Sequence, residues 1–150
     1  MMTVLAVVTA TVIGLMVGVE LAVAAVLNPI LLRLPAGASL AARADGGRVL
    51  GRLMPWWYVG SLALTAALAA VTWGTPAAAT AVVAGVLLAV SVVLSVTLLV
   101  PINNRSRTWT AERHPDDWRE QHRRWDRLHL GRVAIITASF VLVLVATTSL

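Results

Sequence analysis

The sequence predicts an all-α fold, a membrane-spanning four-helix bundle with amphipathic cytoplasmic helical segments, as one integral membrane domain over residues 1–150. Hydrophobic residues make up 59 % of the chain and charged residues 13 %, with a mean hydropathy of +0.83, which is too apolar for a soluble domain. All twelve basic residues are Arg and lie in two stretches, 33–52 and 105–132. The apolar block between those stretches, 53–101, is long enough to cross a bilayer twice.

Four segments have the roughly 20 apolar residues that a transmembrane helix needs. They predict spans at approximately 2–27, 55–73, 77–100 and 131–149. The first span should end near Asn28-Pro29, because proline disfavours helical geometry in the residue before it. Trp56-Trp57 at one end of the second span and Trp73 at the other are typical of interfacial aromatic residues.

The connections follow from Pro and Gly. Gly74-Thr75-Pro76 predicts a turn with Thr75 as N-cap, and the third span should stop at Pro101. Residues 38–54 predict a short interfacial helix interrupted at Gly46-Gly47. From Pro115 onward the second polar region has helical spacing, and we expect it to continue into the fourth span without a break.

Four spans place both Arg-bearing stretches on one side of the membrane. By the positive-inside rule that side is cytoplasmic, which predicts an integral plasma membrane protein with both termini extracytoplasmic. Because topology explains the Arg residues, we expect a lipid bilayer and no nucleic acid as partner. The chain has no Cys, which excludes disulfides, thiolate metal sites and iron–sulfur clusters.

Glu20 is the one acidic residue outside the two Arg-bearing stretches. A charge in hydrocarbon costs at least a few kcal/mol, so an intramembrane carboxyl is by default a functional site. At about 1.5 Å per residue, Glu20 lies about 28 Å and His129 about 31 Å from the outer ends of their helices. The two are therefore nearly level, and Met54, Tyr58 and Asn103 fall close to the same depth.

One face of the last helix carries a polar-aromatic stripe with spacings of four, three, four and three residues: Trp118, His122, Trp125, His129 and Arg132. This stripe should face the bundle interior or its cytoplasmic mouth. For Trp118, Arg119, Arg123 and Arg127 we favour simple anchoring at headgroup depth, and for His129 and Arg132 a functional role.

A carboxylate beside an imidazole can fix its tautomer and raise its basicity, which makes His129, helped by Glu20, a candidate general base. The alternative is a structural ion pair of Glu20 with Arg132 or His129. Glu20, His122 and His129 are also candidate ligands for a single transition metal, although the pattern is loose. The sequence thus leaves open whether there is no cofactor or one metal ion. Asn103 either caps the third helix or donates hydrogen bonds at the site.

The same residues carry a resemblance to a known family. The order of Gly18-Val19-Glu20, Asn28-Pro29, 54–58 (MPWWY), 101–105 (PINNR), Trp118, 124–126 (RWD), His129 and Arg132 resembles the anthrone oxygenase-like family of small four-span membrane proteins, most of unknown function. The resemblance implies an oxygenase that converts an anthrone to its anthraquinone with O2. It implies catalytic roles for Glu20, His129, Asn103, Arg132 and Tyr58, and substrate contacts for Trp56, Trp125, Met54 and Asn28.

Three functions remain open at this stage. The first is a membrane oxidoreductase acting on a lipophilic, anthrone-like or quinone-like aromatic molecule. The second is a non-catalytic membrane protein that binds lipid or a partner, and the third a proton-coupled transporter. An enzyme would place Glu20 in a pocket with His129, a structural protein would seal it against Arg132, and a transporter would open it to the outer side. Gly14 and Gly18 form a small-residue face that allows a homo-oligomer.

Overall fold

The computed structural model describes residues 1–149. Over that range four helices are long and apolar enough to cross a membrane: α1 (Met2–Arg33), α2 (Ala36–Val71), α3 (Pro76–Ser106) and α4 (Trp118–Thr148). The described part of the chain contains helices and no strand, which confirms the predicted all-α four-helix membrane bundle. Below, the Arg-rich end is the end of the bundle that holds residues 33–52 and 105–127, and the opposite end holds both termini and the α2–α3 turn.

The helices pack through small residues in the half of the bundle nearer the opposite end. α3 turns Ala77, Ala81, Ala84 and Leu88 inward, and all four are buried. Small side chains let the backbones approach closely, and the Ser139 hydroxyl of α4 donates to the Ala84 carbonyl oxygen across that contact at 2.8 Å. Large apolar side chains cover the outside of the bundle instead, as lipid contact requires.

The expected ends of the first and third helices are wrong. Both continue past their prolines, α1 to Arg33 and α3 to Ser106. In each a π-helical turn ends two residues before the proline: Val23–Leu27 before Pro29 and Ser95–Leu99 before Pro101. A proline ring collides with the carbonyl four residues earlier in a regular helix. The wider π turn, in which Asn28 N–H donates to the Val23 carbonyl, accommodates the ring without ending the helix.

The predicted interfacial helix is not separate from the second span. α2 runs unbroken from Ala36 to Val71, through Gly46-Gly47 and with Pro55 inside it. Glycine lowers helix stability by only about 1 kcal/mol relative to alanine, which packing against neighbouring helices offsets. The amphipathic polar segment is thus the first half of a long helix that enters the membrane region without a joint.

The two remaining connections differ in detail from the prediction. At the α2–α3 turn Gly74 has φ +86°, a left-handed conformation that favours glycine. Thr75 precedes α3 as expected, but its hydroxyl donates to the Thr72 carbonyl at 2.7 Å and makes no cap hydrogen bond. α4 begins at Trp118, after Pro115, and continues unbroken to Thr148 as predicted.

Candidate functional site

A cavity of about 550 Å³ lies between all four helices in the half of the bundle nearer the Arg-rich end. Both π turns contribute to its wall, through Val23 and Leu27 of α1 and Ser95 and Leu99 of α3. π turns widen a helix locally and are frequent at functional sites. Here both widened turns belong to the wall of one cavity.

Glu20 lies at this cavity with its side chain buried, 5 % exposed. Its Oε2 accepts a hydrogen bond from Arg132 Nη2 at 2.6 Å, and its Oε1 accepts one from the Tyr58 hydroxyl at 3.2 Å. Arg132 Nη1 also donates to Ser95 Oγ at 2.8 Å. These residues with His129 are called the Glu20 cluster, and they come from all four helices.

His129 is held by Arg132 more closely than by Glu20. Arg132 Nη2 lies 3.0 Å from His129 Nδ1, and a guanidinium can only donate, so Nδ1 is the acceptor. We infer a neutral ring that carries its proton on Nε2. That Nε2 lies 3.4 Å from Glu20 Oε2 but is not aligned for a hydrogen bond. The ring stacks on Trp125, with centroids 4.8 Å apart and planes 19° from parallel.

A second buried ion pair, missing from the sequence interpretation, lies one to two turns nearer the Arg-rich end. Arg43 of α2 donates Nη1 to Asp126 Oδ1 at 3.0 Å and Nη2 to Asp126 Oδ2 at 3.1 Å, a bidentate fork. Nη2 also reaches the Asn28 carbonyl oxygen at 3.3 Å. In the sequence, Arg43 is one topology-setting residue among several. Its isolation among alanines, in Ala41-Ala42-Arg43-Ala44, was the available signal.

The polar-aromatic stripe of α4 faces inward along its whole length. His122 and His129 are buried, and Trp125 and Arg132 line the cavity with them. Interfacial anchoring is wrong for Trp118, which is 2 % exposed and packs edge-on against His122 at 5.7 Å. The loop before α4 folds back over this end and adds Trp109, also edge-on to His122, so Trp118 is covered by protein.

The remaining predicted site residues divide into two groups. Asn28, Met54 and Asn103 line the cavity with the Glu20 cluster. Trp56 is not among the lining residues and is 78 % exposed on the outside of α2. Its neighbour Trp57 faces α1, where its indole N–H donates to the Val12 carbonyl at 2.9 Å.

The proposed metal ligands do not converge. Among residues 1–149 no group of three or more His, Cys, Asp or Glu side chains is placed to hold a metal ion. Seven residues of helix separate His122 from His129 by about 10 Å. Arg132 moreover donates to Glu20 Oε2 and to His129 Nδ1, two of the atoms that could ligate a metal. The residues present therefore do not fit a metal in this arrangement.

Buried nitrogen atoms without a geometric hydrogen-bond partner concentrate in residues of the cavity wall. Within residues 1–149, seven buried side-chain nitrogen or oxygen atoms lack a protein partner, and all except Ser39 Oγ belong to residues that line the cavity. Those six are Asn28 Nδ2, Arg43 Nε, His122 Nδ1, Trp125 Nε1, His129 Nε2 and Arg132 Nε. Buried polar groups are normally paired, so such a concentration at one cavity indicates a place for a ligand that accepts hydrogen bonds.

Glu20 is thus both in a pocket with His129 and paired with Arg132, two features expected of different functions. Beyond it, toward the opposite end, Ile13, Met16, Leu88 and Ile136 are buried and fill the bundle. Glu20 therefore faces the cavity rather than that end.

A family model described as anthrone oxygenase matches residues 53–142 of the chain. The matched range contains Tyr58, Asn103, His129 and Arg132, while Glu20 precedes it. No curated protein and no solved structure matches the chain.

Proposed function

The chain belongs to the anthrone oxygenase family, and from that premise we propose that it is a membrane-embedded oxygenase acting on an anthrone-like or quinone-like aromatic molecule bound in the cavity beside Glu20. The observation that carries the proposal is the meeting of a buried carboxylate with a set of unpartnered nitrogen atoms, most of them N–H donors, at one largely apolar cavity. Such a cavity suits a lipophilic ligand that has both an acidic C–H group and several oxygen acceptors.

The size and lining of the cavity support this ligand class. A volume of about 550 Å³ lies within the range of roughly 300–1,000 Å³ typical of small-molecule sites. The two arginines are each paired with a carboxylate, so their charges are compensated within the protein. A neutral aromatic ketone or phenol is therefore a better ligand for this cavity than a strongly charged one.

The reaction proposed for this site balances with O2 alone as oxidant. Removal of one proton from the methylene group gives a carbanion delocalised into the ketone. Its electrons pass to O2 to form a C–O bond, and protonation gives a hydroperoxide. Loss of the second methylene hydrogen as a proton, with cleavage of the O–O bond, releases water and leaves a second carbonyl group. One O2 is consumed and one water is released for each methylene oxidised.

We assign the first proton transfer to Glu20 rather than to His129. The one lone pair of neutral His129 that could accept a proton is at Nδ1, where Arg132 donates. Glu20 keeps unused acceptor capacity, because a carboxylate offers about four lone-pair positions and two are engaged. His129 Nε2–H, 3.4 Å from Glu20, then serves as a donor to the developing oxyanion.

The other predicted residues take binding and orienting roles in this proposal. Arg132 and Tyr58 hold Glu20, and Asn103 and Asn28 offer amide donors to substrate oxygens. Trp125, already stacked on His129, supplies a flat apolar surface beside Met54. Trp56 has no role in the cavity.

The test is O2 consumption by the purified protein in lipid nanodiscs with anthrone as substrate, measured beside formation of the quinone. We expect one quinone for each O2 and loss of both in Glu20→Gln. Elemental analysis of the same samples tests whether the protein holds a metal ion. A stoichiometric metal that is lost in Glu20→Gln and in His129→Ala would mean that the reaction uses metal chemistry and not base catalysis. Absence of O2 uptake in the folded wild-type protein would contradict the proposal.

One observation favours a non-catalytic alternative. Arg132 Nη2 lies only 2.6 Å from Glu20 Oε2, the geometry of a tight buried ion pair that fixes helix register. In that case the cavity would bind lipid or a partner without chemistry. Glu20→Gln and His129→Ala would then lower stability while neither O2 uptake nor metal is found in any sample.

We also propose that the Arg-rich end faces the cytoplasm of the plasma membrane and both termini face outward, because Arg residues concentrate in cytoplasmic loops. The chain has no Cys, so single-Cys variants can be labelled without a background. Gly74→Cys should react with a membrane-impermeant maleimide in intact cells, and Thr108→Cys only after lysis. The reverse pattern would invert the topology.

A further inference from the structure

The cavity is not closed on every side, and one gap lies between α2 and α3. Near the opposite end these two helices touch, since a Cβ on Gly85 would lie 3.7 Å from the Thr65 methyl group. Toward the Arg-rich end they separate, and residues on their facing flanks line the cavity while staying exposed on the outside.

Helix geometry identifies which flank of α2 borders the gap. Trp57 and Ser61 contact α1, through the Val12 carbonyl and the Met16 sulfur respectively. At about 100° per residue, Gly51, Pro55 and Val59 lie on the other flank of α2, toward α3. All three line the cavity, and Val59 is nevertheless 60 % exposed.

α3 borders the gap in the same way. Val92, Val96 and Val100 follow one another at intervals of four residues and line the cavity. Val96 is 62 % exposed although it forms part of the cavity wall. A side chain that belongs to an internal cavity and is also exposed on the bundle surface lies at an opening.

Two glycines show where the opening ends and where no side chain fills it. A Cβ on Gly47 would lie 3.4 Å from Asn103 Nδ2, so the helices meet again there, at the Arg-rich end. A Cβ on Gly51, one turn further along α2, would meet no atom of the described chain within 4 Å. From Gly51 to Val59 the opening extends about 12 Å along the helix.

We propose that the cavity is loaded sideways from the bilayer through this gap, and that the missing side chain of Gly51 keeps it passable for a planar, amphipathic aromatic ketone or phenol. This proposal rests on the proposed function for the identity of the ligand. The gap begins beside Arg52 and the exposed Trp56, residue types that mark headgroup depth, and it is flanked by valines toward the hydrocarbon. A molecule with an apolar ring system and polar edges concentrates at that same depth.

The experiment measures binding kinetics in nanodiscs by quenching of tryptophan fluorescence with 1,8-dihydroxyanthraquinone, which is not turned over. A graded series, Gly51→Ala, Gly51→Leu and Gly51→Phe, should slow association and dissociation together, by at least tenfold for Phe. Gly131→Leu is the matched control. Gly131 is also an exposed helical glycine, and a Cβ built on it would meet no atom of the described chain within 4 Å. Unlike Gly51, it does not line the cavity. Unchanged rates in the Gly51 series would overturn the proposal, as would a weaker Kd caused by faster dissociation alone.

A second measurement separates failure of the route from failure of the proposed function. If the quinone does not bind the wild-type protein, the proposed ligand class is wrong, but the opening can still be tested with lipid. In phosphatidylcholine with brominated acyl chains, quenching of Trp125 is obtained by comparison with Trp125→Phe. Trp125 should be quenched in the wild-type background and protected by Gly51→Phe. Equal quenching with and without Gly51→Phe would mean that lipid does not use this gap.

Discussion

Two buried arginine–carboxylate pairs tie α4 to its neighbours, and they use the guanidinium differently. Arg43 gives its two terminal nitrogens to the two oxygens of Asp126, at 3.0 and 3.1 Å. Arg132 divides its donors among Glu20, Ser95 and His129. Glu20, Arg132 and Arg43 line the same cavity, and both residues of each pair are mostly buried.

If the proposed function holds, the difference separates a structural pair from a reactive one. In the fork of Arg43 and Asp126 each charge is matched by the other, and the geometry is that of a strong, specific contact. In the Glu20 cluster the carboxylate is left with a tyrosine hydroxyl on one oxygen and an imidazole close to the other. Both pairs are mostly buried, so the proposal distinguishes them by the distribution of their hydrogen bonds and not by burial.

The largest expected effect is on proton removal. Glu20→Gln should slow hydrogen–deuterium exchange of an anthrone methylene group, measured without O2 and above the protein-free rate, by about 10²–10⁴-fold, because general base catalysis contributes that much. Asp126→Asn, the matched change in the other pair, should retain the rate within a few fold. His129→Asn keeps a donor and removes the basic nitrogen, so a larger loss there than in Glu20→Gln would return the base role to His129.

The next effect is on stability. Arg43→Leu leaves a mostly buried Asp126 without its partner and should lower the free energy of unfolding by about 3–5 kcal/mol. The double variant Arg43→Leu/Asp126→Leu should recover most of that loss, because apolar replacement of a whole buried pair is often neutral. Unfolding in mixed detergent micelles provides the measurement.

The corresponding double variant of the other pair, Glu20→Leu/Arg132→Leu, sharpens the contrast. It should also fold but show no turnover, whereas Arg43→Leu/Asp126→Leu should remain active. Full activity in both double variants would remove the distinction between the two pairs.

A smaller effect is expected on substrate affinity. Trp125→Leu removes the aromatic surface stacked on His129, and aromatic pairs contribute about 0.5–1.5 kcal/mol beyond burial, so Kd for dihydroxyanthraquinone should rise about two- to tenfold. Trp56→Leu, on the outside of α2, should leave Kd unchanged. Equilibrium quenching titrations would measure both, and an equal loss in the two variants would contradict the cavity as binding site.

The smallest effect concerns two serines that each join helices. Ser95→Ala removes the partner of Arg132 Nη1, and Ser139→Ala removes the bond to the Ala84 carbonyl. Each should lower stability by about 0.6 kcal/mol, the average for such bonds in a membrane protein. Only Ser95→Ala should also reduce kcat, because it frees the guanidinium that orients Glu20. Reduced kcat in Ser139→Ala would show that the effect is merely one of stability.

Much of the architecture was predictable because the thickness of the bilayer fixes the number of apolar residues that a spanning helix needs. The four helices, the family and the level meeting of Glu20 with His129 follow from block lengths and motif order. The continuation of the helices past Pro29 and Pro101 was not predictable. The rules for proline assume a regular helix, and no local sequence pattern indicates a π turn.

The site itself was partly hidden by side-chain direction. Trp56, Trp57 and Tyr58 are consecutive, so they point about 100° apart, and only contact with the other helices decides which one enters the cavity. Tyr58 reaches Glu20, while Trp57 contacts α1 and Trp56 faces outward. Arg43 and Asp126 are 83 residues apart, and no spacing rule connects them.

The two π turns give α1 and α3 one residue more than regular helix would hold at those places. Five residues of a π turn rotate the chain by about as much as four residues of an α turn, so removing a single residue from Val23–Leu27 would restore regular helix and leave Asn28 and Glu20 facing the cavity. The widened part of the cavity wall would be lost, and the Pro29 ring would collide with the carbonyl four residues earlier. A single-residue deletion in the regular helix on either side would instead rotate everything beyond it by about 100°. Each π turn is thus a place within apolar helix where the chain can lose one residue without changing which side chains face the cavity.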